Sequence, residues 1–296
     1  MAWMTLEQLR IFIAVAEQQH MTRAASGLNL TQSATSAAIA ALESRYDVRL
    51  FDRVGRGIVL TQAGRDFLEE ARAVVARARA AAQALDDIAG LKRGALSIAA
   101  SQTVGNYWLP PRLLAFQRNY PGIALQVTIA NTEQVARAVR DGHADLGLVE
   151  GEIDDPLLTN DRIDGDSLAI VVGKRHPWIG TTQIAENKLT TTGWILRERG
   201  SGTRSMFEAA LRDIGVDPSS LDVKLELPSN EAIRAAVESS DYATAISDLV
   251  VAPSLAAGTL HRVRFELPRR SFCVLRHREH SGGQAEKAML AALYAE

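Results

Sequence analysis

The stretch QAGRDFLEEARAVVARARAAAQALDDIAG, from Gln62 to Gly90, constrains this chain more than any other, because after Gly64 it has no internal glycine or proline. Phe67, Ala71, Val74, Ala78, Ala81, Leu85 and Ile88 recur at alternating spacings of four and three. That spacing is the seam of a coiled coil, and small alanines let a second helix approach closely. The stretch predicts a long helix that pairs with its own copy, with packing onto the body of its own protein as the alternative. Such a rod divides the 296 residues into a short segment and a long one, as the length of the chain already suggests.

The short segment ends at Thr61. Leu6, Leu9, Ile13 and Ala16 share a helical face, and MTRAASGL begins a second helix that Gly27 helps to end. After a tight connection at Asn29 and Leu30, Thr31 is placed to cap a third helix, with Ala34, Ala38, Ile39 and Leu42 turned inward. VRLFDRVGRGIVLT then reads as two short strands around Gly55 to Gly57. Helix, brief turn, helix and wing make a winged helix-turn-helix, and two copies on a dimerising helix would meet a two-fold DNA site.

The third helix poses an electrostatic question, because LNLTQSATSAAIAALES contains no lysine or arginine while DNA is a polyanion. A net charge of -2 supplies no general attraction, so the cations must be local. Arg23 precedes the reading helix, Arg45 ends it, and Arg49, Arg53 and Arg56 surround the wing. These arginines are expected to neutralise phosphates, together with the free N–H groups near Thr31. Gln32, Ser33, Thr35 and Ser36 then face the major groove, where glutamine can pair bidentately with adenine. A merely capping or solvated face is the alternative for Ser33, Thr35 and Ser36, and salt bridges to Glu43 or Asp47 for Arg23 and Arg45. Residues 1–61 hold six arginines (10, 23, 45, 49, 53, 56) against five acids (7, 17, 43, 47, 52), so binding should depend on several heads acting together.

The boundaries read as 1–61 for the winged domain, 62–92 for the linker helix and 93–296 for the remainder. In the remainder ALSIAAS, IALQVTI, ADLGLVE, SLAIVVG, WILRE, VKLEL, YATAIS and SFCVLRH read as strands. Helical stretches such as PRLLAFQRN, TEQVARAVRDG, GTRSMFEAALRDIG and NEAIRAAVES lie between them, an α/β pattern. It divides into lobe I, about 93–165 and 267–296, and lobe II, about 166–266, with a ligand cleft expected between them.

Four Ser/Thr-rich turns follow strands and open helices: Ser101-Gln102-Thr103, Asn131-Thr132, Ser201-Gly202-Thr203 after Gly200, and Ser229-Asn230. Converging amides and hydroxyls make an anion site without a full counter-charge. Arg197, Arg199 and Arg204 are placed for at least one to reach the ligand. Glu150 complicates the site, since a carboxylate beside an anion is costly unless it meets a donor or a proton. It either favours a protonated oxyanion or an effector with an amine or hydroxyl, or it pairs with Arg204 or another arginine.

Other function classes lack support. The chain has no GxSxG, HExxH or GxxxxGK[ST], and its six histidines form no convincing ligand set, so neither enzyme, metal nor cofactor is expected. The lone Cys273 sits in a strand-like apolar alternation and reads as a buried thiol. The amino terminus is neither a secretory signal nor a membrane span, which points to the cytoplasm and away from membranes.

"LEQLRIFIAVAE", "MTRAASGLNLTQSATSAAIAALE", "VRLFDR" and "LTQAG", followed by the two-lobed region, resemble the LysR-type transcriptional regulators over the whole chain. "SQTVGNYWLP", "LVEG", "WILRERGSGTR" and "SNEAI" are similar to the CysL/YeiE-like branch, near the regulators of sulfur assimilation and of carbon fixation. The resemblance implies an effector domain like a type 2 periplasmic binding protein, assembled in a homotetramer, a dimer of dimers. It also implies promoter DNA and RNA polymerase as partners, and DNA bending altered by a small metabolite. A sulfur oxyanion such as sulfite or sulfate is the implied effector, with a phosphorylated or carboxylated metabolite second. Two departures stand out: Ala37 and Ala38 follow Ser36 where the family often has a basic residue, and DYATAIS replaces a more glycine-rich stretch.

Overall fold

The computed structural model describes residues 3–54, 57–88, 94–151, 153–181, 183–280 and 282–294, with the side chains of 79, 80, 83, 84 and 86–88 set aside. The chain forms two compact units, Met1–Leu85 and Asp86–Glu296.

In the first unit α1 (Leu6–Gln18) opens with a capping box in which Thr5 accepts from the Gln8 amide. Its apolar positions bury Leu9, Ile11, Phe12, Ile13, Val15 and Ala16, whereas Leu6 is exposed. α2 (Met21–Gly27) follows, and Asn29 takes a left-handed turn with φ 55°. α3 (Gln32–Tyr46) starts at Thr31, whose hydroxyl accepts from the Ala34 amide at 3.2 Å. Its buried residues are Thr35, Ile39 and Leu42, while Ala34 is exposed and Ala38 half-buried. The inward face is thus rotated one residue from the one the alanines suggested, because large side chains and not alanines fix which side of a helix meets the core.

The wing pairs β1 (Phe51–Val54) with β2 (Gly57–Leu60) antiparallel. Glu43 ties α3 to it, its Oε1 accepting from the amides of Leu50 at 2.7 Å and Phe51 at 3.1 Å. α4 (Gln62–Ile88) passes so close to this turn that a Cβ on Gly64 would lie 2.1 Å from the Leu50 carbonyl oxygen. Phe67 packs on Phe12 with ring centroids 4.9 Å apart, and Ala71 is buried in the same core. Farther along the proposed seam Val74 is 47 % exposed and Leu85 70 %. The first turns of α4 therefore complete the winged-helix core, while the later apolar positions lack cover from their own unit. The Ile88 side chain and residues 89–92 lie outside the described residues.

The second unit is built on a mixed nine-stranded sheet among the described residues. In lobe I, β3 (Gly94–Ser101) pairs parallel with β4 (Ile123–Ala130) and β5 (Leu146–Glu150). A π-helical turn at Val104–Trp108 and α5 (Pro110–Asn119) follow β3, and α6 (Thr132–Arg140) follows β4. In lobe II, β7 (Gly193–Arg197) pairs parallel with β8 (Asp222–Leu227) and β9 (Ala243–Ser247). α7 (Gly202–Asp213), α8 (Asn230–Glu238) and α9 (Asp248–Ala256) follow those strands in turn.

Two long strands join the lobes. β6 (Leu158–Gly173) pairs through Leu158–Ser167 with β11 (Arg269–His277) and through Leu168–Val172 with β9. β10 (Leu260–Val263) adds to β6, and α10 (Gln284–Tyr294) closes lobe I. Each lobe has its own core, around Leu96, Phe116, Leu146 and Phe272 in one and around Ile170, Trp194, Phe207 and Leu211 in the other. With parallel strands in both lobes, the carboxyl ends at Ser101, Glu150, Arg197 and Ser247 come to the same cleft, the usual ligand position in open α/β sheets.

Candidate functional site

In the first unit the exposed start of α3 carries Thr31, Gln32 and Ser33, with half-buried Ser36 one turn on. Gln32, Ser36 and Arg53 of the wing line one concavity of about 310 Å³ with Gln19, His20, Met21, Thr22, Gly57 and Ile58. Gln19, His20 and Thr22 were not singled out in the sequence. The polar run before α2 was their signal. Thr35 requires a correction: it is 0 % exposed and its hydroxyl donates to the Thr31 carbonyl at 3.1 Å, so it faces the core and not a groove.

Arg23, Arg49 and Arg53 are exposed and form no ion pair among the described residues. Arg45 donates to the Trp3 carbonyl at 2.8 Å, and Arg56 lies outside the described residues. The nearby acids are partly committed elsewhere, Glu43 to the wing amides and Glu17 to Arg72 at 3.0 Å. Cations thus surround a neutral reading helix whose first amides face outward, an arrangement that can meet phosphates at its edge and bases at its centre.

In the second unit the cleft gathers buried polar groups from both lobes: Ser101, Thr103, Thr132, Glu150, Ser201, Thr203, Asn230 and Arg270. Gly202 is required by close approach, since a Cβ there would lie 2.6 Å from Thr132 Oγ1 and 2.8 Å from the Glu150 carbonyl oxygen. The Gly202 amide, at the start of α7, donates to Thr132 Oγ1 at 3.0 Å, and that hydroxyl donates to Glu150 Oε2 at 3.1 Å. Asn230 Nδ2 donates to Thr103 Oγ1 at 3.2 Å, and the Asn230 amide donates to Gln102 Oε1 at 3.0 Å. Gln102 Nε2 in turn donates to the Pro228 carbonyl at 2.6 Å. Asn131 and Ser229 cap α6 and α8, accepting from the amides of Gln134 and Ala232.

The buried arginines divide in purpose. Arg197 donates to Asn230 Oδ1 at 2.6 Å and to Glu198 at 2.8 Å. Arg204 is not the partner of Glu150 that the sequence offered: it is held by Glu208 at 2.7 Å and Glu226 at 2.6 Å. Its position in the first turn of α7 suggested the ligand, but acids on α7 and β8 hold its side chain at the flank.

Arg270 is the cation that sequence reasoning missed. Its guanidinium meets Asp166 through Nε and Nη2 and donates from Nη1 to Thr203 Oγ1 at 3.1 Å. Burial alone would raise the Glu150 pKa; Arg270 and the hydroxyls of Thr103 and Ser101 outweigh it and hold the carboxyl below its ordinary value. On the rim, burial and Glu231 push the Tyr107 phenol up to about 12, so it stays a donor to Glu231 Oε1 at 2.9 Å.

A winged helix with an outward polar helix, joined in one chain to a two-lobed cleft of buried polar groups, is the build of a ligand-responsive DNA-binding regulator. Residues 6–65 match the bacterial regulatory helix-turn-helix proteins of the lysR family, and residues 89–296 match the LysR substrate binding domain. The chain belongs to the LysR family of transcriptional regulators. It is 33 % identical over 265 residues to a probable RuBisCO transcriptional regulator of Guillardia theta, covering 88 % of this chain and 86 % of the relative. It is also 33 % identical over 277 residues to the HTH-type transcriptional regulator YeiE of Escherichia coli K12, covering 93 % and 92 %. The CcmR regulatory domain of Synechocystis PCC6803, solved in complex with 2-PG, is similar with a TM-score of 0.62 and 26 % identity, covering 68 % of this chain and 96 % of that one. No helix among the described residues is long and apolar enough to cross a membrane.

Proposed function

We propose that this regulator senses a small anionic metabolite in the cleft of its second unit and alters promoter binding and bending in response. The observation that carries the reading is the meeting of Ser101, Thr103, Thr132, Thr203 and Asn230 at the starts of helical segments around one buried arginine, Arg270. Hydroxyls and helix amides supply directed donors, and Arg270 supplies charge. A sulfur oxyanion, sulfite or sulfate, is the leading effector class, on the resemblance of the cleft loops to the CysL/YeiE-like branch. A phosphorylated or carboxylated metabolite is the second reading, supported by the 2-PG complex of the CcmR domain.

Gln32 and Ser36 read bases while Arg23, Arg45, Arg49, Arg53 and Arg56 hold phosphates. The exposed Val74 and Leu85 on α4 support pairing with a second copy, extended to a dimer of dimers acting with RNA polymerase in the cytoplasm. The test is thermal unfolding of the full-length protein against sulfite, sulfate, thiosulfate, phosphate, phosphoglycolate, O-acetylserine and citrate. A ligand at about a hundred times its dissociation constant adds about 2.7 kcal/mol. One anion should raise the midpoint selectively, and Thr103→Ala or Thr203→Ala should abolish the rise. No shift with any of them refutes the anion reading.

A further inference from the structure

Glu150 is the least ordinary member of the cleft. It ends β5 at 3 % exposure, and no lysine, arginine or histidine among the described residues forms an ion pair with it. Buried carboxylates are normally paired. The nearby cation is already committed, since two nitrogens of Arg270 serve Asp166 and the third serves Thr203. Asp248 on α9 adds further negative charge around that arginine. What faces Glu150 directly is a set of hydroxyl donors: Thr132 from α6, with Thr103 and Ser101 from the end of β3.

A second observation points to a missing partner. Ser101 is 2 % exposed, and its hydroxyl, although turned toward Glu150, makes no hydrogen bond of proper geometry. Buried hydroxyls are almost always satisfied by protein, water or ligand. A carboxylate can accept about four hydrogen bonds and donate none. An oxyanion among these hydroxyls and the amides of α7 would therefore place one oxygen against an acceptor. A bare oxygen there meets repulsion, and an O–H there meets a lone pair.

We propose that Glu150 is the specificity determinant of the cleft, accepting a hydrogen bond from the effector, so that oxyanions presenting an O–H bind and fully deprotonated ones such as sulfate are rejected. This rests on the reading of the cleft as the effector site and narrows its ligand class. The shared chemistry is a hydrogen-bearing oxyanion, whether phosphorus- or sulfur-based. The low pKa direction of Glu150 agrees with it, because the group stays an acceptor.

The test is calorimetric titration of the full-length protein at neutral pH with inorganic phosphate and with sulfate, tetrahedral ions of similar size that differ in carrying a proton. Sulfite forms a third arm, titrated across the pH range where hydrogen sulfite loses its proton, and separates the sulfur source from the phosphorus source. The wild type should bind phosphate at least about tenfold more tightly than sulfate, since a site built around one hydrogen bond rejects the analogue that cannot make it. Sulfite affinity should fall as pH rises. Glu150→Gln presents an amide donor and should improve sulfate binding about tenfold, erasing the preference.

Sulfate binding within about twofold of phosphate in the wild type, or an unchanged ratio in Glu150→Gln, overturns this assignment while leaving the anion site standing. Failure of all three anions to bind the wild type overturns this inference, and the anion site falls with it when phosphoglycolate and citrate fail to bind as well. Should Glu150→Gln not fold, arsenate against selenate repeats the comparison on the unaltered chain, and Glu150→Asp should keep the preference for the protonated ion.

Discussion

The reading face of α3 and the effector cleft use similar residue types, serine, threonine and an amide with arginine nearby, in opposite states. On α3, Gln32 and Ser33 are exposed, and the Arg53 guanidinium beside them forms no ion pair among the described residues. In the cleft, Thr103, Thr132, Thr203 and Asn230 are buried: Asn230 bonds to Thr103 and the Gly202 amide to Thr132 across the lobes, and Arg270 donates to Thr203. A polar group waiting for DNA can stay hydrated until the duplex arrives. A polar group lining a closing cleft must be satisfied by the protein itself, so there recognition and stability share the same bonds. Substitutions in the cleft should therefore change stability and ligand response together, and substitutions on the α3 face should change DNA binding alone.

The sharpest way to break that contrast is Arg270→Met. Removing the guanidinium leaves Asp166, itself buried, with the Ser247 hydroxyl as its one remaining side-chain donor among the described residues. The expected loss is about 3–5 kcal/mol, measured by denaturant unfolding of the second unit's transition. Adding Asp166→Leu should recover most of it, because the cost is an uncompensated charge and not a lost contact. A loss under about 1 kcal/mol would mean that the cleft is held by packing and that its polar groups are as free as those of α3.

The opposite case is Gln32→Ala. Its side chain is exposed and makes no hydrogen bond among the described residues, so stability should hold within about 0.5 kcal/mol. Affinity for the cognate promoter should fall by about 1–3 kcal/mol while binding to unrelated DNA is unchanged, read by fluorescence anisotropy on both duplexes. Equal losses on both duplexes would assign Gln32 to the backbone.

Thr35→Val tests the boundary between the two states, because Thr35 sits on the reading helix but is buried. Losing its bond to the Thr31 carbonyl should cost about 1 kcal/mol of stability. Specific DNA affinity should stay within about twofold, the opposite of Gln32→Ala. A selective loss of promoter affinity would restore Thr35 to the groove.

Legibility in the sequence followed the range over which each feature is decided. Thr31 as a cap, Asn29 in the turn and the wing after Asp47 are settled within a few residues, and local composition carried them. The alternation of strands and helices carried the two lobes for the same reason, although α9 and α10 passed unnoticed, α9 because Pro253 stands inside it. The inward face of α3 could have been found at spacings of four and three through Thr35, Ile39 and Leu42, had a hydroxyl been allowed inside. Arg270 could not have been found that way. Its position depends on the β6–β11 register, which opposes Arg270 to Asp166 across 104 positions of chain. Arg204 shows the converse, a loop of the expected composition whose side chain is drawn off by Glu226 on another strand.

The smallest expected effect comes from Arg53→Gln in the wing. Arg53 opposes Ile58 in the β1–β2 register and lines the same concavity as Gln32 and Ser36, yet it forms no ion pair among the described residues. A guanidinium beside the start of a reading helix whose own arginine, Arg45, lies in its last turn should neutralise one phosphate. Each such contact releases about one counterion, so the variant should lower the slope of log affinity against log salt by about 1. Affinity should weaken alike on promoter and unrelated DNA, which separates this residue from Gln32 although the two share one concavity. A loss confined to the promoter would instead place Arg53 in the minor groove or on a guanine, and the answer to how a helix without a cation on its first three turns stays on a polyanion would move from its flanks to its centre.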